Sequence, residues 1–537
     1  MQNAKCKLQN FLNKKLIVMI INFQKLIKYL LKVFNLPFAF WKLPFTFCLL
    51  LLASCTKSIL DLQPIGTSLE TSFYKTDAQI FQGVVATYDV LQWGGTNSTW
   101  TMKLGLLNAA SDDCYAGGSD ASDQPAWVAM DKFTLDPTLG PQKGLWDKGF
   151  AGVYRANLIL EKMQNSGIEG LSDDKKARYT AEVKFLRAFY YFDLVRTFGN
   201  VPLIVKTLGA DEIYKQSQTT PDVIYAQIEK DLKDAVATTQ LPETVNIDEL
   251  GRVTKSAAKA LLGKVILFQN NVARMSEAAT LFESVINSGY FRLEKNFSDI
   301  FKPDNKFGVE SVFEIAHSSI QHGGYDSFNN ITEGNYNVQF FGMRDFVGAV
   351  YASGWSFCPI TEDLANVMKN DPRFSATIID GKALKAKGAN YTIGYQNTDY
   401  FIQKYAPQIA FKAPTGEPAL NWGYNIKEIR LADVMLMASE SFARSGDEAK
   451  ARQYLNLVRT RVGLQPRSSS GATLIDDIFS ERRLELATEG HRFWDLIRTG
   501  KAASVLSGFK SGKSEYLPVP QQEIDISQGA MKQNPGY

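Results

Sequence analysis

Histidine and cysteine are scarce in this chain of 537 residues, with three of the first and five of the second. Beyond the first 55 residues only Cys114 and Cys358 remain, and neither sits in a CxxC pair, so no disulfide framework or cysteine zinc site is readable. His317 and His322 are five apart rather than at the i,i+4 spacing of a helical zinc pair, no HExxH motif occurs, and both read as ordinary loop residues. There is no GxSxG nucleophile elbow. Gly508–Ser514 (GFKSGKS) is one residue short of a phosphate-binding GxxxxGK[ST] loop and reads as a flexible surface loop. No spacing supports a calcium loop or other metal site, and no cofactor motif is present. Acidic residues are missing from residues 1–54, which carry eight lysines. The rest of the chain holds 51 basic and 56 acidic residues, a net of −5, which argues against nucleic acid as a partner.

What the first residues do contain is an address. The apolar run Leu43–Ala53 is too short to span a bilayer but fits the hydrophobic region of a signal peptide. A start at Met19 would shorten the long basic stretch before it. Leu52-Ala53-Ser54-Cys55 resembles a bacterial lipobox, with cleavage before Cys55 and acylation of its thiol and new amine. Each buried CH₂ of such a chain contributes about 0.8 kcal/mol to membrane anchoring. Residues 1–54 are thus expected to be a lipoprotein signal peptide and 55–75 a lipidated tether that becomes a docked segment.

Helical signals dominate the mature chain. Ser172 followed by Asp173 and Asp174 predicts a capped helix start. Ala181, Phe185, Ala188, Phe192 and Val195 form one buried stripe, and Gly199 and Pro202 end it. A similar rhythm runs through Gly251–Phe268. Met275–Tyr290, and the pair of helices around Ile429–Arg444 and Glu448–Val462, read as helix–turn–helix repeat units with small residues at the crossings, as in tetratricopeptide repeats. Residues 292–425 are rich in Gly, Asn, Tyr, Phe and Asp and read as long loops and short strands, a length that usually serves function. Residues 76–537 are therefore expected to be one mainly α-helical domain with a loop-rich insert.

The densest charge cluster is Glu481–Arg498, ERRLELATEGHRFWDLIR. If helical throughout, it pairs Arg482 with Glu485, Glu489 with Arg492 and Asp495 with Arg498, and packs Phe493, Trp494 and Ile497 inward. That is a structural role rather than a pair of catalytic acids. Aromatic residues are the better lead. Trp93 and Trp100 flank a Gly-Gly-Thr-Asn-Ser stretch, Tyr115 and Trp127 follow, and Tyr325, Phe328, Tyr336, Tyr351 and Trp355 lie in the insert. Rings among Gly, Asn, Asp and Ser suit sugars, which offer apolar C–H faces for stacking and hydroxyls for amides and carboxylates.

Several blocks, taken in order, resemble the SusD/RagB family of outer-membrane nutrient-binding lipoproteins. They are Leu62-Gln63-Pro64, Ala181–Ile204, Gly251–Phe268, Ile429–Asp447, Leu455–Leu464, Glu481–Arg498, Leu517–Ile524 and the terminal QNPGY, Gln533–Tyr537. The resemblance implies a tetratricopeptide-like helix-pair scaffold carrying an irregular ligand-binding region, with 426–537 as the family-signature region. It also implies no catalysis and a SusC-like TonB-dependent transporter as partner, to which captured oligosaccharides or other nutrients are delivered at the outer membrane. Family glycan sites draw aromatic residues from the loops after the first helix and from the insert, which makes Trp93, Trp100, Tyr115, Tyr325 and Trp355 the stacking candidates, with Asn97 and Asp113 as polar contacts. One departure stands out: many surface-exported relatives carry an acidic run after the lipidated cysteine, and Thr56–Asp61 here has only Asp61. The rival readings are a structural adaptor that binds protein through its helix repeats, and a glycoside hydrolase, which needs two carboxylates at a defined separation.

Overall fold

Local sequence rules set the helix boundaries. In the computed structural model, which describes Lys25, residues 73–96, 99–320, Tyr325 and 333–537, Tyr74–Tyr537 make up one unit. Cys55 with its lipobox, the remainder of the tether before Phe73, Asn97, His322 and Phe328 lie outside the described residues. Helix α1 (Asp77–Asp89) opens on a Thr76/Gln79 capping box. After the short strands β1 (Gly95–Thr96) and β2 (Thr99–Trp100) come α2 (Lys103–Ala109), α3 (Gln142–Lys162) and α4 (Asp173–Phe198). The Ser172 hydroxyl accepts from Lys175 N–H and Gly199 ends α4 at φ 67°. The expected stripe of α4 is buried, and so is nearly every residue from Ala181 to Phe198. The reason is that α4 is covered on several sides, by α3, by α5 (Pro221–Ala237) and by the core beneath.

The array continues through α6 (Lys255–Phe268) and α7 (Met275–Ile286), crosses the insert, and resumes with α10 (Leu431–Ser445), α11 (Glu448–Arg461), α12 (Gly471–Leu486) and α13 (Arg492–Arg498). Neighbours pack α3 on α4, α4 on α5, α5 on α6, α6 on α7, α7 on α10 and α10 on α11. This is the mainly α, tetratricopeptide-like scaffold expected. Gly446 stands at φ 97° between α10 and α11, and Asp447 caps α11 by accepting from Lys450 N–H. Gly263 on α6 lets Phe282 of α7 approach so closely that a Cβ there would lie 2.7 Å from the ring. Gly263→Ala raises helix propensity yet is expected to destabilise the protein by about 1–3 kcal/mol through overpacking. Urea denaturation checks this, and a neutral or stabilised variant would contradict the packing described.

Three expectations need correction. Ile429 and Arg430 are not helical: they end strand β4 (Ile426–Arg430), which pairs antiparallel with β3 (Ser311–Ile315), Phe313 opposite Ile429. That pairing ties together the two ends of the insert. The insert also holds more helix than its periodicity suggests, including α8 (Tyr336–Phe341) and α9 (Glu362–Met368), with Asn335 and Thr361 as caps. Helices of six or seven residues are too short to display a hydrophobic period. The charge cluster is likewise not one helix. It breaks after Leu486, with Thr488 at φ 66° and Gly490 at φ 78°. Only the Asp495–Arg498 pair of the three forms, at 2.8 Å. Arg482 instead meets Asp433 and Asp495, Glu489 meets Arg430 and Lys404, and Arg492 meets Asp112.

Candidate functional site

The hairpin β1–β2, with Gly95 opposite Trp100, presents Trp100 just ahead of α2. From the insert, α8 contributes Tyr336 and Phe340, and the extended segment 354–361 follows it back. Trp355 N–H donates to Gln339 O at 2.9 Å, Ser356 N–H to Gly342 O at 2.7 Å and Phe357 N–H to Phe340 O at 2.8 Å. Gly342 and Gly354 meet backbone to backbone where a Cβ on either would collide. On its other side the same segment is laddered to the loop after α2: Gly118 N–H donates to Ser356 O, Cys358 N–H to Ala116 O, and Tyr115 N–H to Pro359 O, all within 3.0 Å. Two stretches more than two hundred residues apart in sequence thus form one surface.

Trp100 and Trp355 meet there edge to face, 5.7 Å between centroids and 72° between planes. Trp100 also packs on Tyr336 at 5.5 Å and on Phe340 at 5.3 Å, and Trp355 on Phe340 at 5.0 Å. Beneath them Trp127 stacks on Phe340 at 5.1 Å and donates its Nε1–H to Trp100 O at 3.1 Å. Trp127 and Phe340 are fully buried, Tyr336 nearly so, and Trp100 and Trp355 are half-buried. The result is a sealed aromatic base carrying two partly exposed indoles. Polar groups border it. Gln339 Nε2 donates to Ser353 O, and Arg344 Nη2 bridges Trp355 O at 3.2 Å and Asp123 Oδ2 at 3.3 Å. Nothing in the sequence singled out Gln339 or Arg344, since each owes its place to the ladder rather than to a motif.

The other candidates go elsewhere. Trp93 is half-buried, but its Nε1–H donates to Asp89 at 3.1 Å and Arg155 lies 5.0 Å over its ring, so that indole is already engaged. Tyr115 stands half-buried at the far end of the ladder, and Tyr325 is exposed beside residues outside the description. Asp113 is not placed to meet a hydroxyl from solvent: it is 1% exposed and accepts from Arg483 Nε at 2.8 Å. Burial raises its carboxyl above the usual range, the neighbouring Arg483 notwithstanding. The larger cavities, about 320 Å³ beside Trp146, Phe150 and Tyr154 and about 310 Å³ beside Arg482, Arg483 and Arg492, are lined by neither Trp100 nor Trp355. Among the described residues no group of three or more His, Cys, Asp or Glu is placed to hold a metal ion, and no helix is long and apolar enough to cross a membrane.

Comparison with known proteins agrees with this architecture. A model of the SusD family matches residues 309–516, and one described as starch-binding associating with outer membrane matches residues 107–267. A solved structure of a laminarin binding SusD-like protein is 40% identical, covers 86% of this chain and 100% of its own, and superposes with a TM-score of 0.80. This chain belongs to the SusD family. Surface glycan-binding protein A from Bacteroides thetaiotaomicron, solved in complex with laminarihexaose, is 31% identical over 86% of this chain and 99% of its own, with a TM-score of 0.79. SusD-like protein P2 of Formosa agariphila is 28% identical over 528 residues, 93% of this chain and 99% of its own length. Both SusD-family matches fall on segments that build the aromatic surface: the first covers α8 and Trp355, the second the whole 113–118 stretch and Trp127.

Proposed function

We propose that this SusD-family protein is a non-catalytic, lipid-anchored subunit of the outer membrane that holds laminarin or its oligosaccharides on the Trp100–Trp355 surface and passes them to a TonB-dependent transporter. The observation that carries the reading is the pair of partly exposed indoles, brought together from distant segments on a buried aromatic base. A sugar ring lying against them gains apolar contact, while Gln339 and Arg344 fix the neighbouring backbone. Arg344 and Asp123 offset each other's charge, which suits a neutral ligand. The ligand class is supported by the laminarin-binding relative at 40% identity and the laminarihexaose complex at 31%. The membrane placement is supported by the lipobox-like Leu52–Cys55 and by the outer-membrane description of the family model.

Calorimetry with laminarihexaose, run beside an assay for new reducing ends, tests the binding and non-catalytic parts together. Saturable binding without cleavage is expected, and cleavage, or no binding to any oligosaccharide, would overturn the reading. Anchoring has its own test. The wild-type protein is expected in the membrane fraction and Cys55→Ala in the soluble one; a Cys55→Ala protein that still sediments with membranes would remove the lipid anchor.

A further inference from the structure

Trp100 and Trp355 do not form one flat platform. Their planes stand 72° apart, and the contacts beneath them keep the angle. Both indoles lean on the same ring, Phe340, at 59° for Trp100 and 65° for Trp355. Trp100 also meets Tyr336 edge to face, at 89°. Tyr336 and Phe340 share the short helix α8 and are themselves boxed in. Gly94 lets Tyr336 approach so closely that a Cβ there would lie 2.5 Å from its ring. Gly105 does the same for Trp127, at 2.3 Å, and Trp127 stacks under Phe340 at 27°. Neither indole can turn into the plane of the other without giving up these packed contacts.

A chain of sugar rings meets such a corner in one of two ways. In a cellulose-type glucan successive residues are flipped by a half-turn, and their rings keep to one flat ribbon. A flat ribbon can lie face-on against one of two planes that stand 72° apart, but not against both. In laminarin-type and starch-type glucans each ring is tilted from the last, and the chain curls. A curled chain can follow the corner and lie against both indoles. Specificity is a difference between two affinities, and here it comes from a contact that straight chains cannot make.

We infer that the angle between Trp100 and Trp355 makes this a site for curled glucan chains and discriminates against straight chains of the same sugar. This selectivity rests on the glycan-binding role proposed above. Three hexaoses of glucose, alike in composition and in number of hydroxyls but different in chain shape, test it on the wild-type protein by calorimetry. Laminarihexaose and maltohexaose are each expected to bind more tightly than cellohexaose, laminarihexaose by about tenfold, the weight of one aromatic contact. Cellohexaose binding as tightly as laminarihexaose, or more tightly than maltohexaose, would overturn the selectivity and leave the glycan-binding role standing. No binding of any of the three would overturn that role and the selectivity with it. Trp355→Ala, left with one plane, is expected to lose the preference for laminarihexaose over cellohexaose. An unchanged preference in the folded variant would place the selectivity outside the two indoles and overturn the assignment.

Discussion

Glu485→Gln is expected to destabilise the protein by about 3–5 kcal/mol, the range for removing one partner from a buried ion pair. Glu485 is fully buried and accepts from Arg430 Nη1 at 2.6 Å, Arg373 Nη1 at 2.8 Å and Arg461 Nη2. Arg430 also meets Glu489 and Glu310, and Arg373 meets Glu481 and Asp371. The network therefore links the insert's two ends, its interior at 371–373, and helices α11 and α12. Glutamine keeps the shape but removes the charge and turns an amide N–H₂ toward guanidinium groups, which have no lone pair to offer. The measurement is urea denaturation at neutral pH. As a control, Glu212→Gln breaks the exposed Lys206–Glu212 pair and is expected to change nothing measurable.

The same network sets the acid side of the stability profile. Burial opposes the charged form of Glu485, but Arg461, Arg430 and Arg373 outweigh it and hold the carboxyl well below its usual range. Arg482 and Arg498 similarly hold Asp495 at about 2 against its burial. Carboxyls depressed in the folded state add stability that is fully present above about pH 4, where the unfolded chain ionises, and is lost as pH falls toward their folded values. Stability is thus expected to fall steeply between about pH 4 and 2, and less steeply in Glu485→Gln. A parallel decline in the two proteins would show that the network does not govern acid unfolding.

Trp100→Ala and Trp355→Ala are each expected to weaken laminarihexaose binding about thirtyfold or more, taking roughly 2 kcal/mol for truncating a central aromatic contact. Trp93→Ala is expected to change affinity by less than about threefold, since its ring is covered by Arg155 and its N–H held by Asp89. The contrast is more informative than either value alone. Losses at Trp93 and Trp100 with none at Trp355 would mean the ligand lies beside Trp93 and Trp100 rather than against Trp355. Circular dichroism of each variant distinguishes a lost contact from a lost fold.

What could be read from the sequence was what local physics governs. Ser172 as a cap, the stripe through Phe185 and Phe192, and Gly446 between two helices are each specified by residues within a few positions. The partners of the buried charges were not readable. Arg482 and Glu489 each had a plausible neighbour three residues away, yet Glu485, in the same helix as Arg482, is taken by Arg373, Arg430 and Arg461, the left-handed turn at Thr488 and Gly490 separates Glu489 from Arg492, and the partners found lie from 13 to 85 positions distant. The same limit applies to the candidate site. Trp100 and Trp355 stood out as rings among small polar residues, but their meeting depends on the register of β1 with β2 and on the ladder of 354–361, which no local pattern encodes. Asp113 looked like a loop carboxylate available to ligand because its partner, Arg483, is 370 residues away.

The most direct test of the central claim is the structure of this protein with laminarihexaose bound. The account predicts a glucan ring in van der Waals contact with both Trp100 and Trp355. Sugar bound instead in the cleft of Trp146, Phe150 and Tyr154, with the two indoles untouched, would contradict it.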